Sequence, residues 1–306
     1  MSNAIWYFII NPVSGNGKGL EVWSEVRKQL EAEEVNFSFG ISEYHKHTIQ
    51  LITDKHKEGV RHFIGIGGDG TLNEIVNGIM DAQVPTQDLS TLALIPVGTG
   101  NDWVKSQKVI FTANSLVSKL QEQKTQPHNV GRVNTGEGIT HYFMNIAGAG
   151  IDGAIVKELE AQNKKGKAGQ WVYIKSLIKT LFSYKTTALN IEVDAKPLYA
   201  GGAFIVAASI GKYFGSGMLL SPKAEVNSDT LDFTLAKKDK LYRIFPQLHK
   251  LFNGKIASAT FVEKGIGDKA SITTDRLVSV QADGELVGET KRLSFELIPK
   301  GIKVLV

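Results

Sequence analysis

The chain has 306 residues, of which 42% are apolar and 22% charged, and its formal net charge is +4. This length can bury a sizeable core and favours two domains over one. Because cysteine is absent, disulfides, cysteine-ligated zinc and thiol nucleophiles are excluded. The first residues, MSNAIWYFIINP, lack a basic leader, and no uncharged apolar run approaches the ~20 residues that span a bilayer. We therefore expect a cytoplasmic protein.

The first 125 or so residues alternate apolar strands with amphipathic helices. Hydrophobic periodicity predicts strands at 4–10, 35–41, 62–67 and 91–97, and helices at 20–30, 48–57, 71–80 and 113–122. Such alternation is typical of an α/β domain with a parallel sheet covered on both faces.

The pattern changes after about residue 130. Short strand-like runs separated by turn residues follow, interrupted by helical stretches near 169–182 and 242–252. This pattern predicts a mostly-β, sandwich-like second domain. We expect a first domain at 1–126, joined by a return of the chain at about 293–306, and a second domain at 127–292.

Three glycine loops follow predicted strands, at 11–19, 67–70 and 98–102. Gly65, Gly67 and Gly70 match the dinucleotide fingerprint G-x-G-x-x-G, but the Asp69 carboxylate would repel a pyrophosphate unless Mg²⁺ bridges the two. Thr71 and Glu74 match a capping box, so Thr71 is expected at the helix N-cap. Each loop alone is explained by a tight turn. Together, at one edge of a parallel sheet, they predict a nucleotide site.

The segments NPVSG, GGDGTLNEIVNG and PVGTGND, in this order, resemble the diacylglycerol kinase catalytic family. That family includes bacterial lipid kinases, ceramide kinases and sphingosine kinases, and its nucleotide site is similar to those of NAD kinases and phosphofructokinases. QADGE and SPKAEVNSDTLDF extend the resemblance over essentially the whole chain. It implies a first domain of the NAD kinase/phosphofructokinase type and ATP- and Mg²⁺-dependent transfer of phosphate to the hydroxyl of a diacylglycerol-like or long-chain lipid.

The resemblance also implies roles for individual residues. Glu285 would be the proton acceptor with Asp283 beside it in the catalytic network, and Asp69 would join the Mg²⁺–phosphate network. The residues implied to hold ATP are Asn11, Pro12, Val13, Ser14, Gly15, Ser42, Gly67, Gly68, Asp69, Gly70, Thr71, Leu72, Asn73 and Thr99.

A second, structural Mg²⁺ would be held by Asp229 and the backbone carbonyls of Val226 and Leu231. Two departures weaken that expectation. Thr230 stands where the family usually has glycine, and Asn129 where it often has aspartate. We expect weaker metal binding and an intact fold.

The D-G-E segment leaves two interpretations open. In an extended segment Asp283 and Glu285 would face the same side, as a base and a metal ligand require. Asp-Gly between alternating apolar residues is equally a hairpin signal.

The segment 157–185 carries seven lysines and two acids with interleaved aromatic residues. Such a helix can lie on an anionic membrane surface, which would place the enzyme peripherally on the membrane beside a lipid substrate. A core helix with a solvated lysine face is the alternative. No nucleic-acid recognition motif accompanies it.

Two rival functions remain: a kinase of a soluble acceptor such as NAD, and a catalytically weak sensor of nucleotide or lipid. GTGND and the D-G-E segment favour the lipid kinase over the first, and Thr230 and Asn129 keep the second open. The identity of the lipid and the existence of a homodimer are not determined by the sequence.

Overall fold

The computed structural model describes residues 5–82, 89–98, 101–107, 111–163, 170–215 and 217–306. The chain divides into two compact units, Met1–His128 with Lys300–Val306, and Asn129–Pro299. In the described residues no helix is both long and apolar enough to cross a membrane.

Unit 1 alternates strands and helices. Its elements are β1 Trp6–Ile10, α1 Ser14–Gly17, α2 Gly19–Ala32, β2 Phe37–Ile41, α3 His47–Lys57, β3 His62–Gly67, α4 Asp69–Asp81, β4 Thr91–Pro96, α5 Asp102–Ser106 and α6 Ala113–Glu122. The short α1 is an irregular turn, because Gly15 and Asn16 have positive φ.

The strands of unit 1 form a sheet in the order β2-β1-β3-β4, and each neighbouring pair is parallel. Every residue of β1 is buried, as expected for a strand with both faces covered. Lys303 and Val304, near the end of the last strand of the chain, pair in parallel with β4 on its other side. Leu305 joins Trp6, Ile64 and Leu116 in one buried cluster, so this late segment completes the core of unit 1.

Unit 2 is β-rich. The strands that belong to it or enter it are β5 Thr125–Thr135, β6 Thr140–Phe143, β7 Ile146–Gly150, β8 Thr187–Val193, β9 Lys196–Ser209, β10 Tyr213–Phe214, β11 Met218–Leu219, β12 Leu231–Lys237, β13 Val262–Gly267, β14 Lys269–Ala282 and β15 Glu285–Leu305. Its helices are α7 Ile151–Asn163, α8 Gln170–Ser183 and α9 Leu241–Ile244, and 3₁₀ helices span Phe245–Phe252 and Lys255–Ser258.

Neighbouring strands of unit 2 pair antiparallel. The short strands β7 and β8 both pair with the long strands β9 and β14, at different parts of each. Phe143, Phe233 and Phe295 lie in one buried cluster. A second cluster joins Leu181 of α8 to Leu251 of the longer 3₁₀ helix.

Candidate functional site

Three loops of unit 1 meet where β1, β3 and β4 end. The Asn11 amide donates to the carbonyl of Ile66 at 3.0 Å, and the Val97 amide donates to the carbonyl of Gly67 at 2.8 Å. Gly15, with φ 59°, lies so close to the third loop that an added Cβ would be 2.7 Å from Val97 Cγ1. Only glycine combines this positive φ with this close approach. The loops predicted from the sequence are therefore joined at one edge of the sheet.

Side chains add to these backbone links. Asn11 Nδ2 donates to Thr71 Oγ1 at 3.1 Å, and Asn11 Oδ1 accepts from the Val13 amide at 3.2 Å. Ser42, at the end of β2, reaches the same edge, because its amide donates to the carbonyl of Ile10 at 2.9 Å.

Helix α4 begins at Asp69, with Gly68 as the N-cap residue and no side-chain capping hydrogen bond. The predicted capping box at Thr71 is therefore wrong. The Thr71 hydroxyl instead accepts from Asn11, and Glu74 Oε1 accepts from the Lys46 amide at 2.9 Å, where α3 starts. An N-terminus without a side-chain cap presents amide donors and the positive end of the helix dipole to an anion.

The Asp69 carboxylate is only partly exposed and links two loops. Its Oδ2 accepts from the Asp102 amide at 2.7 Å, and its Oδ1 accepts from the Trp103 amide at 3.2 Å. These amides are the first two of α5, so Asp69 interacts favourably with the start of that helix. Each carboxylate oxygen can accept more than one interaction, so Asp69 can contact these amides and a cation or its water together.

The other implied nucleotide residues differ in exposure. Leu72 and Asn73 are buried in α4, and Asn73 Oδ1 accepts from Asn77 Nδ2 at 3.2 Å. Their side chains therefore stabilise the start of the helix from the protein interior. Pro12, Val13, Ser14, Gly68 and Gly70 are at least partly exposed. Thr99 lies outside the described residues.

In unit 2, Asp283 and Gly284 form a two-residue turn between β14 and β15. Ala282 pairs with Glu285 across it, and the φ values of Asp283 and Gly284 are 50° and 87°. The segment is a hairpin turn. The prediction of an extended segment with both carboxylates on one side is therefore wrong. Asn or Asp followed by Gly is favoured at such a turn, because both central residues need positive φ.

The Asp283 carboxylate holds the start of β7. Its Oδ2 accepts from the Met144 amide at 2.8 Å, and its Oδ1 accepts from the amides of Asn145 and Ile146, each at 3.0 Å. Hydrogen bonds from several amides stabilise the ionised form of a carboxylate. These contacts make Asp283 a positioning residue for the turn that precedes Glu285.

Glu285 itself is half-buried at the first position of β15. Close to the same turn, Asn145 is 6% exposed, and its Nδ2 donates to the carbonyl of Tyr213 at 2.6 Å. Its Oδ1 is one of the buried side-chain atoms with no hydrogen-bond partner in the described part of the chain. An unsatisfied buried acceptor costs about 1–3 kcal/mol, so a water or a ligand hydroxyl is expected there.

The loop implied to hold a second metal is tied to Asn129. The Asn129 amide donates to the carbonyl of Val226 at 3.3 Å, and its Nδ2 donates to the carbonyl of Ser228 at 2.5 Å. Asp229 is exposed and Leu231 is buried in β12. No group of three acidic or histidine side chains able to hold a metal occurs in the described ranges. These contacts supply N–H donors where a cation would need oxygens, so they fit an ion poorly, and metal binding there stays a prediction.

Helix α8 is mostly a core helix in its described part. Leu181 is buried, Leu177 and Tyr184 pack against the same cluster, and Phe182 is exposed. The side chains of Trp171 and Tyr173 lie outside the described residues.

Three buried polar side chains are further functional candidates that the sequence motifs do not single out. Asp102 is buried and pairs with Lys105 at 2.8 Å, and in the sequence it is only the last residue of GTGND. Asn145 interrupts the apolar run YFMNIAGAGI, and a polar residue in such a run is itself a signal. Asp152, at the start of α7, is buried and accepts a hydrogen bond from Gln281.

The architecture of the two units is of the NAD kinase-like class. An Archaeoglobus fulgidus NAD kinase crystallised in complex with ATP aligns over 98% of this chain and 93% of its own, with a TM-score of 0.55 and 11% identity. A Bacillus anthracis strain Sterne protein described as a "putative diacylglycerol kinase" aligns over 99% of this chain and 96% of its own, with a TM-score of 0.76 and 21% identity. At these identities the likeness concerns the fold alone.

Sequence comparison identifies the family. The model of the diacylglycerol kinase catalytic domain matches residues 5–133, and that of the YegS C-terminal NAD kinase beta sandwich-like domain matches residues 145–306. The second match covers more than half of the chain, so the chain belongs to the family with this YegS-type C-terminal domain, and the first match gives it a diacylglycerol kinase catalytic domain as well. It is a phosphotransferase with an alcohol group as acceptor. The Bacillus subtilis protein "Putative lipid kinase YtlR" is 26% identical over 97% of this chain and 99% of its own. "Putative lipid kinase SAB0675c" of Staphylococcus aureus is 28% identical over 85% of this chain and 82% of its own.

Proposed function

We propose that this protein is an ATP- and Mg²⁺-dependent lipid kinase that transfers the γ-phosphoryl group to a hydroxyl of a diacylglycerol-like or long-chain lipid. The observation that carries the proposal is the joined set of three loops beside the N-terminus of α4. Phosphoryl transfer requires positioned phosphates, cations that spread the developing charge, and a base near the attacking hydroxyl.

We assign the nucleotide site to unit 1. Amides of Gly68, Asp69 and Gly70 stand at the start of α4, where a phosphate is favoured by backbone N–H donors and by the helix dipole. Asn11 and Gly15 bring the first loop to the same edge. We assign the polyphosphate of ATP to this edge, with Ser42 and Thr99 as further contacts.

Asp69 fits a Mg²⁺ ion. Carboxylate oxygens are preferred Mg²⁺ ligands, and the ion usually keeps several waters while it contacts one or two carboxylates and the phosphates. The two amides that Asp69 accepts from fix the orientation of its carboxylate, and each of its oxygens can accept more than one interaction. Bound Mg²⁺ would neutralise charge on the transferred phosphate.

The proposed proton acceptor is a residue of unit 2. Glu285 is the proposed base that removes the proton of the lipid hydroxyl, and the Asp283 turn sets its position. A positioned base of this kind typically contributes 10²–10⁴-fold to the rate, given as an order of magnitude. Asn145 Oδ1 offers an acceptor that could orient a hydroxyl.

A test of the reaction class compares two acceptors in one assay. Labelled ATP is supplied with Mg²⁺, diacylglycerol in mixed micelles, and NAD, and product is followed in the organic and aqueous phases. The lipid kinase proposal expects label in the organic phase that depends on added Mg²⁺. Label in NAD alone would establish the soluble-acceptor kinase. Binding of ATP without transfer to any member of a broad lipid panel would establish the sensor.

A further inference from the structure

One short stretch of unit 2 has a larger positive net charge than the whole chain. Residues 237–255 contain six basic residues and one acidic residue, a net charge of +5, whereas the chain as a whole is +4. The rest of the chain is therefore slightly acidic. A charge concentrated in this way acts on its partners locally, whatever the net charge of the molecule.

The same stretch is amphipathic. Ile244 and Leu251 are buried in the cluster that includes Leu181. On the solvent side Tyr242 is 65% exposed, Phe245 46% and Phe252 45%. Three large aromatic side chains exposed within eleven residues are unusual for a surface that faces only water.

Two of these aromatic residues form a patch with a third side chain and two cations. The rings of Phe245 and Phe182 lie 5.9 Å apart, and Phe182 is 61% exposed. Tyr242 is three residues before Phe245, where helical geometry makes side chains neighbours. Lys240 Nζ and Arg243 Cζ each lie 5.8 Å from the Tyr242 ring centroid. We name these five residues the aromatic–basic patch.

Among the described residues, Arg243 of the patch forms an ion pair with Asp239 at 3.6 Å, and its side chain is still 58% exposed. Beside the patch, Lys179 of α8 pairs with Glu158 of α7, and the lysine side chain is 69% exposed. The exposed guanidinium and ammonium groups are therefore available to other anions.

We propose that the aromatic–basic patch docks the protein on an anionic lipid bilayer. Aromatic rings partition into the interface between headgroups and acyl chains, and cations beside them attract anionic headgroups. The patch combines both chemistries on one solvent-facing surface, whereas a protein-binding surface is typically depleted of lysine at its centre. The purpose of docking rests on the proposed function, because a lipid kinase must reach a substrate held in a bilayer.

Vesicle co-sedimentation without ATP tests the surface directly. The probes are phosphatidylcholine vesicles and vesicles with about one third phosphatidylglycerol, and the partition coefficient of the full chain is measured in each. Tyr242→Ser/Phe245→Ser is expected to lower partitioning about tenfold or more in anionic vesicles, because two aromatic side chains no longer enter the interface. Lys240→Glu/Arg243→Glu is expected to lower it by a similar factor in anionic vesicles and to change it little in phosphatidylcholine.

Matched controls come from the same unit. Ile266→Ser/Leu277→Ser removes two exposed apolar side chains, 66% and 56% exposed, that lie on β13 and β14. Lys196→Glu/Lys291→Glu reverses two exposed cations outside the patch. Both control pairs are expected to bind vesicles as the wild type does. Equal losses in control and patch variants, or no loss in the patch variants, would overturn the proposal, as would a patch variant that changes only the oligomeric state in sedimentation.

The outcome can be separated from that of the proposed function. With a short-chain diacylglycerol dispersed as monomers, Tyr242→Ser/Phe245→Ser should phosphorylate at the wild-type rate, because docking is not needed. A chain that phosphorylates no lipid but loses vesicle binding on patch substitution retains the docking surface and loses the kinase assignment. If the chain phosphorylates lipid and its patch variants bind vesicles as the wild type does, the kinase assignment stands and the docking surface is overturned.

Discussion

Asp69 and Asp283 both stand beside glycine, the first at the start of α4 and the second in a hairpin turn, and both accept hydrogen bonds from backbone amides of another segment. Asp69 accepts from two amides at the start of α5, in a loop that faces the proposed phosphate edge. Asp283 accepts from three amides before β7, inside a hairpin turn. The difference shows that a D-G motif alone fixes neither the backbone conformation nor the role of its carboxylate. Whether the carboxylate takes part in the reaction depends on the groups that surround it.

The largest expected effect on turnover comes from substitution of Glu285, two residues after Asp283. Glu285→Gln should lower kcat by about 10²–10⁴-fold, because the amide cannot accept the hydroxyl proton. Steady-state turnover with a lipid acceptor measures it, and the melting temperature should stay close to that of the wild type.

Glu289→Gln is the matched control on the same strand. Its hydrogen bond with Lys157 holds the pKa of Glu289 below its usual value, and the side chain is exposed, so its loss should leave kcat within about twofold. Equal losses of kcat for the two variants would remove Glu285 from the base role.

Asp283→Ala should mainly destabilise the fold. Three amides would lose a charged acceptor, at a cost of about 2–4 kcal/mol in the free energy of unfolding. Urea unfolding measures this. Asp283→Asn, which keeps an acceptor oxygen, should recover part of the loss. Unchanged stability in Asp283→Ala together with abolished turnover would return Asp283 to a catalytic role.

Asp69→Asn should lower the apparent affinity for Mg²⁺-ATP more than it lowers stability. The amide oxygen can keep one of the two backbone hydrogen bonds, so stability should fall by only about 1 kcal/mol. The apparent affinity for Mg²⁺-ATP should fall about tenfold or more, because the charge that faces the ion is gone. Melting curves without ligand and a Mg²⁺ titration of turnover separate the two effects. A melting temperature lowered as far as that of Asp283→Ala would make Asp69 structural.

A fall in pH should lower the stability of unit 1, which contains Asp69. Burial lowers the pKa of both His56 and His62, so the folded state binds fewer protons than the unfolded state below about pH 6.5. Stability is therefore fully present above that pH and is lost as the pH falls through it, by about 1.4 kcal/mol for each unit of pKa difference. Thermal melts from pH 7.5 to 5.5 measure the slope. His56→Gln should reduce it, and an unchanged slope in that variant would assign the effect to other groups.

Metal removal should have the smallest effect on stability. Asn129 already donates to two carbonyls of the 226–230 loop, so EDTA should leave the melting temperature of the wild type unchanged without nucleotide. Asn129→Asp should make the melting temperature rise with Mg²⁺, because a bound ion stabilises by mass action. A wild-type melting temperature that falls in EDTA would contradict this expectation.

Much of the fold follows from local pattern. The helix predicted at 113–122 and the strand predicted at 62–67 have those bounds in the structure, because their periodicity, caps and flanking turns agree. The helix of residues 151–163 was missed, since Ile151, Asp152 and Gly153 continue an apolar, glycine-rich run that resembles a strand. Sequence spacing could not distinguish these two possibilities.

The candidate site was predictable only in part. The glycine loops could be located, because glycines, strand ends and order along the chain are all visible in the sequence. The partners of Asp69, Thr71 and Glu74 could not, since each bonds to a segment at least 28 residues away. In the structure Thr71 and Glu74 make these long-range hydrogen bonds and not a local capping box. The local sequence contains no pattern that predicts such partners. The Asp283 hairpin was visible as one of two interpretations, and the positive φ of its residues decides between them.

The strand that begins with Glu285 ends beside β4, and this bears on how the molecule is made. Ile302, Val304 and Leu305 are buried, and Leu305 lies in the first unit's apolar cluster. On a ribosome, β4 must wait with one edge unpaired until about two hundred further residues have emerged, and unpaired edges invite aggregation. Completion of unit 1 is thus delayed until unit 2 has been synthesised.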